Sequence, residues 1–190
     1  FALFPPEKRS LLTEDERINV EISLHAFLIN THGVPDSLAW AYVHERGIEI
    51  NPIKVGLFQK DFQRLHLPPE VVSYLDGSVS LWHKNYAKNY RDGLAHRIPP
   101  YLPPAILTDA HREELQNLET RREQAIEDQN LELALELEEA KKAVGISCPL
   151  FHLDQGPYGQ VLLHSELIVD ARTIMQIIDN VRPHLVRRVT

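Results

Sequence analysis

Cys148 is the lone cysteine in 190 residues. No internal disulfide can form, and a reducing compartment, the cytoplasm, is the expected setting. A lone thiol also excludes a cysteine-based zinc site, and the ten histidines form no H-x-x-x-H or HExxH unit. There is no Gly-rich phosphate loop and no nucleophile elbow. The chain is therefore expected to work without a metal or cofactor. No uninterrupted apolar run approaches the length needed to span a membrane, and no signal peptide is visible, so no membrane association is expected. The net charge of -7 argues against a general nucleic-acid coat protein and confines any polyanion site to a local basic patch. Internal repeats and low-complexity tracts are absent.

What is present suffices for a substantial core. With 43% hydrophobic residues over this length, one domain spanning residues 1–190 is expected. Thr13 with Glu16 three residues on is a capping-box pattern, and Ile18, Ile22, His25 and Ile29 carry helical periodicity as far as His32 and Gly33. Val34-Pro35-Asp36-Ser37 reads as a restart of the helix, running to Gly47. Asn30, His32 and Asp36 are then assigned to the turn and cap between two helices. Residues 109–144 hold no Gly or Pro and are rich in Glu, Arg, Gln, Leu and Ala, which predicts a long helix or a helical hairpin breaking near residues 128–130. Their charge reads as a solvated face. Residues 148–164 place a Gly-flanked turn between two short apolar runs, a small β-hairpin. Ser165 is expected to cap a terminal helix. The fold class is mainly α: an antiparallel helical bundle with the 109–144 excursion and the hairpin as embellishments.

Aromatic, basic and titratable residues crowd together between Trp82 and Pro104. If residues 70–97 form one helix, at about 100° per residue Val72, Leu75, Val79, Trp82, Tyr86, Ala87, Tyr90 and Leu94 share an arc of roughly 120 to 140°, a core face. Trp82, Tyr86 and Tyr90 thus read as packing residues rather than stacking platforms. Lys84, Lys88 and Arg91 form one row outside the arc, and Asn85, Asn89, Asp92 and His96 a second. Pro99, Pro100, Pro103 and Pro104 end the helix.

Two kinds of chemistry are open to those rows. Asp92 and His96 are four residues apart, so the carboxylate can orient the imidazole and favour its charged form. Arg91 supplies a donor fork suited to phosphate, and Lys84, Lys88 and Arg97 add positive charge. Arg91 and His96 could divide the work at a phosphodiester, one stabilising charge and the other moving a proton. They lie about 140° apart on an ideal helix, so convergence on a small substrate needs an unwound helix end or a second copy across a two-fold axis. In the bland alternative, Arg91 and Asp92 make surface ion pairs, the lysines are solvated, and His96 caps the helix terminus.

Arg91-Asp92-Gly93-Leu94-Ala95-His96 resembles the Arg, polar residue, short gap, His signature of HEPN domains, and residues 90–104 resemble a bacterial branch grouped with that superfamily. The resemblance implies a compact, dimerising helical bundle with the motif at the end of a late helix. In active members the motif's Arg and His cleave RNA without metal at the dimer interface, which would assign catalysis to Arg91 and His96 and RNA or phosphate contacts to Lys84, Lys88 and Arg97. Asp92 stands where Asn is more usual; its carboxylate can orient His96 but repels phosphate. Roughly two such spacings arise by chance in a chain of this composition, so the helical context carries the resemblance. Two readings follow: a homodimeric interaction or regulatory module of bacterial stress or defence, paired with a protein antidote or regulator, or a metal-independent RNA endonuclease.

Overall fold

The computed structural model describes residues 2–6, 10–96, 98–152 and 160–185. It is mainly helical with a two-stranded sheet, as the periodicities require. Among the described residues no helix is long and apolar enough to cross a membrane. The chain packs as two compact units, residues 1–20 with 102–150, and residues 21–101 with 151–190.

Helix α1, Glu14–Arg46, starts at the expected capping box. Thr13 N–H donates to Glu16 Oε2 at 2.8 Å, and Glu16 N–H donates to Thr13 Oγ1 at 3.2 Å, a device that stabilises a helix start by about 1 kcal/mol. The expected break at Gly33 does not occur. Pro35 sits inside a continuous helix, because the buried face of Leu24, Leu28, Thr31, Pro35, Ala39 and Tyr42 keeps helical spacing straight through it. Tertiary packing outweighs the loss of one backbone hydrogen bond at the proline.

In the unit containing residues 21–101, α1 is followed by a 3₁₀ turn, Pro52–Lys54, then α2, Lys60–His66, and α3, Pro69–Asp76. The expected single helix over 70–97 is instead divided. Gly77 leaves the helical region with ψ -138°, and α4, Ser78–Trp82, begins after it. A π turn, His83–Ala87, comes next, closed by Lys88 N–H donating to His83 O, five residues back. Helix α5, Lys88–His96, completes the run. The core arc nevertheless survives: Leu75, Val79, Trp82, Ala87 and Tyr90 are buried, while Val72, Tyr86 and Leu94 are half-buried. The strands β1, Leu150–His152, and β2, Gln160–Leu162, pair with each other; the expected hairpin turn at 156–159 lies outside the described residues. The terminal helix, α8, is Leu163–Val181 and begins two residues before the expected cap Ser165. It lays Ile174, Ile177 and Val181 into a core shared with Ala39, Tyr42, Phe62, Val71 and Leu75.

In the other unit the 109–144 stretch is a helical hairpin. Helix α6, Asp109–Glu127, and α7, Leu131–Lys142, are separated at the expected place, where Gln129 takes a left-handed backbone with φ 57°. Asn130 caps α7 through a 3.2 Å bond from Leu133 N–H. Ala125, Ala134, Leu137 and Leu118 form a narrow apolar seam. It is flanked by Glu119, Arg122, Glu138 and Lys141, with Arg122 Nη2 on Glu119 Oε1 at 2.5 Å and Lys141 Nζ reaching Glu119 and Glu138.

Candidate functional site

A cleft of about 500 Å³ opens in the unit containing residues 21–101. One wall is the middle of α1, which contributes His32 and Asp36; the facing wall is the π turn and α5, which contribute His83, Lys88, Arg91 and Asp92. The segment from Pro52 to Gln59 forms the rim, including Phe58. The continuity of α1 through Pro35 creates this arrangement. In one unbroken helix, residues 32 and 36 are a turn apart and share a face.

His32 is buried at 8% exposure, and its Nε2 has no hydrogen-bond partner. Its ring centroid lies 6.0 Å from that of His83, which is stacked on Phe58 at 3.8 Å with the planes 9° apart. Burial pushes the His32 pKa down to about 4, helped by His83 and Arg91 and opposed by Asp92. Burial likewise brings His83 down to about 4, with Lys88 and Arg91 adding to the effect. Both imidazoles are therefore neutral near pH 7. Asp36 is exposed as a residue, yet burial around its carboxyl raises its pKa against the pull of Arg91. Desolvated titratable groups beside fixed cations make this cleft the candidate site.

Of the residues singled out from sequence, Arg91, Lys88 and Asp92 line the cleft. Arg91 and Lys88 are exposed, with Asp92 half-buried. His96 is exposed at the last position of α5 and is not a cleft residue. No hydrogen bond or ion pair joins it to Asp92 among the described residues. Lys84 is exposed in the π turn and does not share the cleft with Lys88 and Arg91: an i to i+5 turn inserts about one residue into the helical repeat and breaks the expected row. Arg97 lies outside the described residues. His32 and Asp36, assigned from sequence to an interhelical turn, instead stand on a continuous helix facing the cleft, and His83 joins them from the opposite wall. A signal for His32 existed in its place four residues after Leu28 and three before Pro35, on the buried stripe of α1.

The arrangement suits an oxyanion. Two cations supply long-range attraction and Arg91 a planar fork. The two imidazoles offer uncharged nitrogen atoms that can donate or accept, and the carboxylates of Asp36 and Asp92 can accept from hydroxyl or amino groups on the same ligand. Among the described residues, no group of three or more His, Cys, Asp or Glu is placed to hold a metal ion. No protein-family model, curated protein or solved structure matches this chain.

Proposed function

We propose that this chain is a HEPN-like helical module that engages RNA through the phosphodiester backbone at the cleft between α1 and α5, acting as a homodimeric regulatory or interaction protein in bacterial stress or defence. The observation that carries the proposal is the pairing of Lys88 and Arg91 with two desolvated imidazoles, His32 and His83, in one cavity. A net charge of -7 repels polyanions elsewhere on the chain, so a local cationic cleft gives selectivity rather than general adhesion. The likeness of Arg91 to His96 to the HEPN signature supports the family, the dimer and the biological setting. The test is fluorescence anisotropy with a labelled single-stranded RNA in the presence of a chelator. Wild type should bind, and Arg91→Ala and Lys88→Ala should each weaken binding; equal binding by all three proteins would refute the cleft as the RNA site.

The neutrality of the two imidazoles favours a second reading, metal-independent RNA cleavage. A neutral imidazole can accept the proton of an attacking hydroxyl while Arg91 stabilises charge on the phosphate oxygens. Gel analysis of the same RNA over hours decides between binding and turnover. Cutting lost in His32→Gln assigns the chemistry to the cleft. Cutting lost in His96→Ala, with His32→Gln active, assigns it to an Arg91 and His96 pair across a dimer. Intact RNA with wild type leaves the binding module.

A further inference from the structure

We infer that the cleft binds its oxyanion together with a proton, and that the His32 and His83 imidazoles carry that proton. The inference rests on the phosphate-handling reading above and adds the protonation state of the ligand-bound site.

The geometry sets the terms. The two rings lie 6.0 Å apart between centroids at one end of the cavity. Among the described residues neither ring has a hydrogen-bond partner: His32 Nε2 is buried and unpartnered, and the ring contacts of His83 are the Phe58 stack and His32. In the free cleft no hydrogen bond among the described residues joins either ring to the Asp36 or Asp92 carboxyl. Lys88 and Arg91 line the same space and oppose a third positive charge, while burial removes the water that would solvate it. The neutral state thus has three causes, and a bound oxyanion reverses two of them. Its charge offsets Lys88 and Arg91, and its oxygens accept from the ring N–H. A proton that is unfavourable in the empty cleft becomes favourable in the filled one.

The other ionisable groups facing the cavity are Asp36 on α1 and Asp92 on α5. Asp92 favours the imidazolium at His32, but its influence is already present in the empty site and cannot distinguish the two states. Asp36 is the rival carrier. Burial already shifts it toward its neutral form, and an incoming anion would push it further the same way. The two carriers are separable by substitution.

The linkage has a definite sign. Groups whose pKa rises on binding make affinity grow as pH falls, by up to about tenfold per pH unit for one proton, between the pKa of the complex and that of the free cleft. The free-cleft end of this window is set by imidazoles at about 4. The probe is a labelled oligouridylate, whose phosphodiesters and uracils do not titrate between pH 5 and pH 8. Wild-type affinity, measured by anisotropy at constant ionic strength, should rise as the pH is lowered within that range, by up to about tenfold per unit below the pKa of the complex. Calorimetry at pH 6 in two buffers of different ionisation enthalpy should register net proton uptake by the unmodified protein. The pH dependence should survive in Asp36→Asn and vanish in the double variant His32→Gln, His83→Gln. A pH-independent affinity with no proton uptake overturns the inference and leaves the RNA site standing. Dependence lost in Asp36→Asn transfers the proton to the carboxyl and also overturns it. Absence of binding at every pH removes the phosphate reading itself. The buffer comparison on wild type keeps the inference refutable even if the double variant fails to fold.

Discussion

Trp82 donates its indole N–H to Asp170 Oδ1 across 2.7 Å, and the carboxyl it reaches is fully buried, with Oδ2 left without a partner. One turn away on α8, Glu166 accepts from the Tyr90 hydroxyl at 2.5 Å. Two carboxyls on one helix thus fasten it to α4 and α5. Burial raises both their pKa values; Asp170 is pushed up to about 7, with the Trp82 bond opposing burial and Glu166 reinforcing it.

Stability should therefore fall as pH rises across this core. A folded-state pKa above the unfolded value means that the folded protein holds the extra proton, so the cost of ionising Asp170 is absent below about 3.8, grows toward 7 and is complete above it. For a rise from 3.8 to about 7 that cost is of the order of 4 kcal/mol. Asp170→Asn keeps an acceptor for Trp82 and abolishes the ionisation. Urea denaturation at pH 5 and pH 8 should show a smaller difference between the two conditions in the variant than in wild type; an unchanged difference would place the linkage elsewhere.

The α6–α7 hairpin should respond in the opposite direction to acid. Hydrogen bonds from Arg122 and then Lys141 hold Glu119 down to about 2. A depressed carboxylate contributes stability that is present above its usual value of 4.5 and is lost as pH falls toward 2. Glu119→Gln should lower the thermal midpoint of the hairpin followed by circular dichroism. High salt should shrink the gap, since these groups are partly open to solvent. A gap insensitive to salt would mean that shape rather than charge matters at this position.

RNA affinity should discriminate among the cationic residues of the α4–α5 run. Arg91→Ala and Lys88→Ala should each reduce the slope of log affinity against log salt by about 1, as expected for loss of one phosphate contact. Lys84→Ala and His96→Ala, which alter residues outside the cleft, should leave that slope near the wild-type value. Equal effects of all four substitutions would indicate a diffuse surface in place of a cleft.

Gly145 should not tolerate a side chain. Its φ of +122° is unfavourable for any residue with a Cβ, and an added Cβ would stand 3.0 Å from Ala105 Cβ and 3.2 Å from Leu107 Cδ2. The position lies beside the bridge in which Ile106 and Ile146 exchange backbone hydrogen bonds of 2.8 and 3.2 Å. Gly145→Ala should cost roughly 1 to 3 kcal/mol, measurable by chemical denaturation; a neutral substitution would show that the bridge region rearranges freely.

Local signals were readable where the competing tertiary terms were small. The Thr13 and Glu16 box, the break at residues 128–130 and the two short strands were each evident from a few neighbouring residues. Continuity across Gly33 and Pro35 was not, because the evidence for it lies in the buried stripe from Leu24 to Tyr42 rather than in local propensity. The division of the stretch over 69–96 is hidden for the converse reason: a uniform 3.6-residue repeat carries no mark for a π turn. Half the cleft was lost with these two features. Arg91, Asp92 and Lys88 stand close in sequence and were visible together, whereas His32 and Asp36 meet them only through the fold, with His83 positioned by the π turn.

The π turn also sets the phase of everything after it. Closing the same five residues, His83–Ala87, as ordinary α-helix with no change of length would rotate α5 by about 100° about its axis relative to α4. Lys88 and Arg91 would swing away from His32 together, and Tyr90 would leave Glu166 in the same motion. The hydrogen-bond pattern of five residues thus works as a rotary adjustment of the cationic wall, and deleting one of them would let an ordinary α-helix hold α5 in its present phase.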